Sequence, residues 1–125
     1  FNFVAPYELQ MPNEYKIFLE EKGIKYFEHK EFNDIISEAD IIYMTRVQKE
    51  RFPDPIEYEK VKNVYILRNS MLEKTKANLK ILHPLPRVNE IHSDVDSNKK
   101  AYYFTQALNG VFTREAIITH TMNLK

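Results

Sequence analysis

Asp40-Ile41-Ile42-Tyr43-Met44-Thr45-Arg46-Val47-Gln48-Lys49-Glu50-Arg51 changes character halfway along. Residues 41–44 are a continuous apolar run, which suits a parallel strand covered on both faces. The polar, charged segment behind it continues through Pro53 and Pro55 and reads as the loop leaving that strand. The same change recurs downstream. Residues 79–83 read as a strand, and Pro84-Leu85-Pro86-Arg87 stops it.

Outward from these two strands, the elements alternate. Residues 1–5 form an apolar strand ended by Pro6. Pro12 stands where a first helical turn tolerates it, and Tyr15, Phe18, Leu19 and Lys22 follow at helical spacing. Gly23 fits the position just past a helix end. Residues 24–28 give a second strand. Phe32, Ile35, Ile36 and Ala39 fall on one face of a predicted helix. Residues 57–62 predict a short helix and 64–67 an extended piece. Ser70 with Glu73 forms a capping-box pattern expected to start another helix. A polar loop runs to about Lys100. Phe104, Ala107, Leu108 and Val111 then open a C-terminal helix expected to reach Met122. This order predicts an α/β fold with a largely parallel sheet and helices on both faces.

Composition removes several functions. Eighteen basic residues balance eighteen acidic ones, so no net charge or basic stripe draws the chain to nucleic acid. No apolar run approaches the roughly 20 residues of a membrane span. There is no cysteine, hence no disulfide, thiolate metal site or cysteine nucleophile, which fits a reducing compartment. The two glycines, Gly23 and Gly110, cannot build a glycine-rich phosphate or dinucleotide loop. His29, His92 and His120 lack metal-ligand spacing. Asp94 and Asp96 alternate on a polar loop and read as a solvated face. The chain opens inside a strand pattern without an initiator Met, as a fragment of a longer protein would.

Ligands of open α/β sheets bind outside the carboxyl ends of the strands. If the strands at 41–44 and 79–83 are parallel, their two loops open on the same side. Arg46 is the first long cation past its strand, and its planar fork suits a carboxylate. Gln48, two residues on, points the same way in an extended segment. On composition alone, a solvated loop carrying charge pairs explains both residues more simply. Pro84 and Pro86 have no N–H, so Pro84, Leu85 and Pro86 offer carbonyl acceptors in a stiff geometry, able to grip an amide. A cis Leu85–Pro86 bond is one way to turn those carbonyls inward. An ordinary strand stop is the plainer alternative. His83 fits either an acid–base group or a buried, hydrogen-bonded histidine, the second being commoner.

Tyr43-Met44-Thr45-Arg46-Val47-Gln48-Lys49-Glu50-Arg51 resembles the mobile aspartate-site loop of aspartate carbamoyltransferase catalytic chains. His83-Pro84-Leu85-Pro86-Arg87-Val88-Asn89-Glu90-Ile91 resembles the carbamoyl-phosphate segment of that family. Asp94-Val95-Asp96 and Tyr103-Phe104 with Gln106, Asn109 and Gly110 continue the likeness in order. The resemblance implies a partial Rossmann-like aspartate-binding domain over residues 1–100. It also implies a C-terminal helix, 101–125, that returns to pack on a carbamoyl-phosphate domain not represented in the chain. The implied reaction is transfer of the carbamoyl group of carbamoyl phosphate to L-aspartate, in pyrimidine synthesis. Arg46 and Gln48 are then expected to bind aspartate. The carbonyls of Pro84 and Leu85 are expected to take the carbamoyl amide, with Pro86 fixing their direction. Lys49, Glu50 and Arg51 belong to the closing loop, with Glu57 and Tyr58 at its far end.

No cofactor or metal is implied. The family resemblance further implies a cytoplasmic homotrimer with shared active sites, and allows for a regulatory subunit. The fragment alone is expected to be inactive and to fold poorly, because the family's first strand and helix of this domain and its phosphate-binding cluster are not seen in it. Phe104, Leu108, Val111, Phe112 and Ile118 would then lack a partner surface. Two departures stand out: the segment 52–56 is one residue longer than the commonest bacterial pattern, and Asn89 replaces a usual acidic residue. The rivals are an ornithine-type carbamoyltransferase and a non-catalytic α/β binding remnant. The first typically carries cysteine within the proline segment, where this chain has Pro84.

Overall fold

Parallel strand pairs carry the architecture, and the crossovers between them are helices and turns. The structure, a computed structural model, describes residues 1–123; Leu124 and Lys125, at the end of the 101–125 segment, lie outside the described residues. Strand β1 (Asn2–Val4) pairs with β2 (Phe27–His29), in register Asn2↔Phe27 to Val4↔His29, across helix α1 (Asn13–Glu21). Strand β3 (Ile41–Tyr43) pairs with β4 (Lys80–Leu82), in register Ile41↔Lys80 to Tyr43↔Leu82. Helix α2 (Pro55–Val61) lies in that second connection, and helix α3 (Tyr103–Thr121) follows β4. The parallel α/β reading holds, with the strands arranged as two separate pairs.

Local chemistry sets the helix ends. Gly23 sits at φ 66, donates its N–H to Glu20 at 2.9 Å, and lets Ile24 N–H reach back to Leu19 at 2.9 Å. This six-to-one, five-to-two pairing closes α1, and a left-handed residue is what it requires. At α2 the Asp54 carboxylate accepts the Ile56 N–H at 2.8 Å, and Pro55 fills the first helical position. The helix therefore starts two residues before the expected Glu57.

Two expected helices are not formed. Phe32 to Ala39 makes only a 3-10 turn, Phe32–Asp34, stopped by Ile35 at φ −129 and ψ −12. A span this short stays below the length at which helix propagation offsets nucleation, and Asn33 and Asp34 are weak helix formers. The Ser70–Glu73 pattern likewise yields a 3-10 turn, Asn69–Leu72, with no side-chain cap. The carbonyls that a longer helix needs are already taken. Thr75 Oγ1 and Lys100 Nζ donate to Leu72 O at 2.7 and 3.0 Å, and Lys100 Nζ also binds Thr75 Oγ1 at 2.6 Å.

The core forms around β3 and β4. Ile42, Met44, Leu67, Leu72, Leu79, Ile81, Ile91, Val95 and Tyr103 are buried together, joined by Ile36. Ile81 sits at its centre: its N–H donates to Lys100 O at 2.8 Å and its carbonyl accepts from Tyr102 at 3.0 Å. The expectation that 41–44 is covered on both faces is corrected. Ile42 and Met44 are buried, but Ile41 and Tyr43, on the opposite face, are 61% and 56% exposed. Nothing within the described residues covers that side. The apolar residues Phe104, Leu108, Val111, Phe112 and Ile118 of α3 are exposed too; only Tyr103 of that helix is buried.

Candidate active site at the carboxyl edge of the second strand pair

Because β3 and β4 are parallel neighbours, the loops that leave them start side by side. Met44 N–H donates to Leu82 O at 2.9 Å, immediately before the chain departs toward Arg46 on one strand and His83 on the other. This is the common edge inferred from the sequence. Beyond it, among the described residues, no hydrogen bond joins Arg46 or Gln48 to residues 84–86. Two surface concavities lie elsewhere among the described residues, one formed by Glu20, Ile24, Lys25, Tyr26 and Phe27, the other by Ile66, Arg87 to Asn89 and Ile91 to Ser93.

In the first loop, Arg46 pairs with Glu50 across one turn. The Glu50 carboxyl lies below the usual range, held there by its own backbone N–H and then by Arg46 and Arg51. Gln48 is extended, at φ −82 and ψ 106, and leads into the 3-10 turn Lys49–Arg51. The loop folds onto Tyr58: the Lys49 ammonium lies 5.9 Å from its ring centroid and Phe52 packs edge-on at 5.8 Å. Arg46 thus already holds a carboxylate, through one terminal nitrogen and one carboxylate oxygen.

The second loop is the more constrained. The Leu85–Pro86 peptide is cis, and Leu85 has φ 47, a left-handed conformation uncommon for leucine. Its N–H donates to Nδ1 of His83 at 2.8 Å. His83 is buried; its Nε2 lies 2.7 Å from Glu90 Oε1, and its backbone N–H donates to Gln106 Oε1 at 2.9 Å. Glu90 Oε2 accepts from Val88 and Asn89 N–H at 3.1 Å each. Burial alone would raise the Glu90 carboxyl, but backbone N–H groups and His83 outweigh it and hold it below the ordinary range. Among the described residues, nothing donates to the carbonyls of Pro84, Leu85 or Pro86.

Behind this turn, Arg87 clasps Asp96 with its two terminal guanidinium nitrogens, at 2.5 and 2.6 Å, and donates to the Tyr103 hydroxyl at 3.1 Å. Tyr103 in turn donates to Asp96. Arg87, followed by Tyr103, lowers the Asp96 carboxyl, while burial and then Asp96 push the Tyr103 phenol up to about 12. Asp96, expected on a solvated face, is instead the anchor that ties residue 87 to the start of α3. Glu90, Asp96 and Gln106 were not singled out as site residues from the sequence. The available signals were position, since Glu90 falls inside the proline segment and Gln106 one turn into the last helix, and the family likeness that runs through Asp96 and Gln106.

The chain is thus an α/β domain with two loops leaving one strand edge, one carrying Arg46 and the other the carbonyls of Pro84, Leu85 and Pro86. Residues 1–121 match the family model described as "Aspartate/ornithine carbamoyltransferase, Asp/Orn binding domain", and the chain belongs to that family. It is 64% identical over 125 residues to the aspartate carbamoyltransferase catalytic subunit of Bacteroides thetaiotaomicron, covering 99% of this chain and 40% of that protein. It is 61% identical to the Bacteroides fragilis subunit, covering 99% and 41%. The fold matches the catalytic subunit of M. jannaschii aspartate transcarbamoylase with a TM-score of 0.87 at 42% identity, over 99% of this chain and 41% of that one. A Trypanosoma cruzi aspartate transcarbamoylase solved with N-(phosphonacetyl)-L-aspartic acid matches with a TM-score of 0.79 at 30% identity, over 94% and 38%. The chain spans about 40% of the length of the curated relatives it matches.

Proposed function

We propose that this chain is the aspartate-side half of an aspartate carbamoyltransferase, which moves the carbamoyl group of carbamoyl phosphate to the amine of L-aspartate, releasing phosphate. The observation that carries the reading is the shared edge. The two family motifs leave adjacent parallel strands on one side, so aspartate and carbamoyl sites can meet there. Relatives solved with carbamoyl phosphate and with aspartate and phosphate support the substrate pair.

In this reading the Arg46 guanidinium exchanges its Glu50 partner for an aspartate carboxylate, and Gln48 keeps the loop and substrate aligned. The carbonyls of Pro84 and Leu85 accept from the carbamoyl amide, and Pro86 fixes their direction. The aspartate amine attacks the carbamoyl carbon, giving a tetrahedral intermediate that expels phosphate. The contribution of this chain is positioning, and closure of the 45–51 loop with Lys49, Glu50 and Arg51 excludes water. Residues 1–100 form the aspartate-side unit, and 101–125 returns to the phosphate-side domain; the uncovered apolar residues of α3 support this division. A cytoplasmic homotrimer, with room for a regulatory subunit, follows from the family resemblance.

The test is transfer by the complete protein, given labelled carbamoyl phosphate with either aspartate or ornithine. Carbamoyl-aspartate is the expected product. Transfer to ornithine alone, or to neither, rejects the reading.

A further inference from the structure

The proline turn contains one N–H group, that of Leu85, since Pro84 and Pro86 have none. That single donor is captured by His83 Nδ1, two residues back. A ring nitrogen that accepts an N–H carries no proton, so Nε2 carries it and donates to Glu90 Oε1. The second oxygen of Glu90 holds the N–H groups of Val88 and Asn89, on the far side of the same turn. The His83 and Glu90 side chains are 1% and 7% exposed, so no solvent competes for these bonds.

We infer that His83 and Glu90 are a positioning pair that aims the Pro84 and Leu85 carbonyls at the carbamoyl group. The inference rests on the proposed reading of those carbonyls. Glu90 closes the turn behind residue 87 and fixes the imidazole tautomer. The imidazole then fixes Leu85 in its left-handed conformation, leaving every carbonyl of 84–86 free. Neither side chain touches substrate.

Side-chain geometry supplies the test. Asn at 83 can accept the Leu85 N–H as an Asx turn does, but loses Glu90. Gln at 83 reaches Glu90 but loses Leu85. Glu90→Gln cannot serve both ends. Its oxygen can face Nε2–H or the two amides, and the other side then meets its NH2. The probes are carbamoyl phosphate and inorganic phosphate, which lacks an amide for the carbonyls to take.

In the complete protein, H83Q and E90Q are expected to raise the KM for carbamoyl phosphate about tenfold, as for one lost buried hydrogen bond. The inhibition constant of inorganic phosphate is expected to stay within about twofold, and H83N to recover most of the KM loss despite similar destabilisation. If H83N and H83Q weaken carbamoyl phosphate equally, or if phosphate weakens in step with it, the pair is merely structural and the inference falls. If the wild-type protein transfers no carbamoyl group to aspartate, the functional reading falls and takes the inference with it.

Discussion

Replacing Asp96 with Asn should loosen the clasp that binds the proline turn to α3. The carboxylate takes two N–H groups of Arg87, at 2.5 and 2.6 Å, and the Tyr103 hydroxyl. Asn retains one acceptor and turns an NH2 toward a guanidinium, so one charge-assisted bond is lost and two donors face each other. A charge-assisted bond contributes about 1.5–3 kcal/mol when sheltered. The Arg87 and Asp96 side chains are 20% and 33% exposed, so solvent screening reduces the expected loss to about 1–2 kcal/mol. Larger folding units shift less per kcal/mol, so in the complete protein this lowers the melting temperature by a few degrees. The Arg87 partner holds the Asp96 carboxyl below its ordinary value of about 4. Its stabilisation is thus complete above that value and is lost as pH falls through the lower, folded-state value. Thermal unfolding of wild type and D96N should therefore differ clearly at pH 7, with the gap beginning to close only below about pH 4. Equal melting temperatures at pH 7, or a gap that persists unchanged in acid, refute the reasoning.

Ile81→Ala removes a fully buried side chain at the centre of the core, and urea unfolding should show a loss of about 2–5 kcal/mol. Tyr103, raised to about 12 by burial and by Asp96, gives a stabilisation complete below the ordinary tyrosine value of about 10 and lost as pH rises through the folded value. A Tyr103→Phe variant should therefore show less alkaline loss of stability between about pH 10 and 12 than wild type, measured by denaturant midpoint.

The strands β3 and β4 were legible because their signals are strong: apolar residues, then Arg46 or Pro84 at the exit. Gly23 and the last helix were legible for the same reason, since each follows local rules. The turns at Phe32 and Asn69 were not: at Phe32 the apolar period spans too few residues to propagate a helix, and at Asn69 period alone cannot show that Lys100, nearly 30 positions away, takes the carbonyl of Leu72. Tyr43 and Ile41 read as buried because an apolar run reports the cover a strand is suited to, whereas cover itself depends on neighbouring elements. Arg46, Pro84 and Pro86 could be proposed from the sequence, but the hydrogen bonding of Glu90 and Asp96 could not. Their partners, His83 and Arg87, lie seven and nine residues away along a segment that contains no α-helix or strand.

The most direct test of the central claim is the aspartate dependence of an Arg46→Ala variant of the complete protein. Loss of a charge-assisted fork should raise the KM for aspartate roughly 10- to 150-fold and leave the KM for carbamoyl phosphate within about threefold. An unchanged aspartate dependence would contradict the assignment of Arg46, and with it the placement of aspartate at this strand edge.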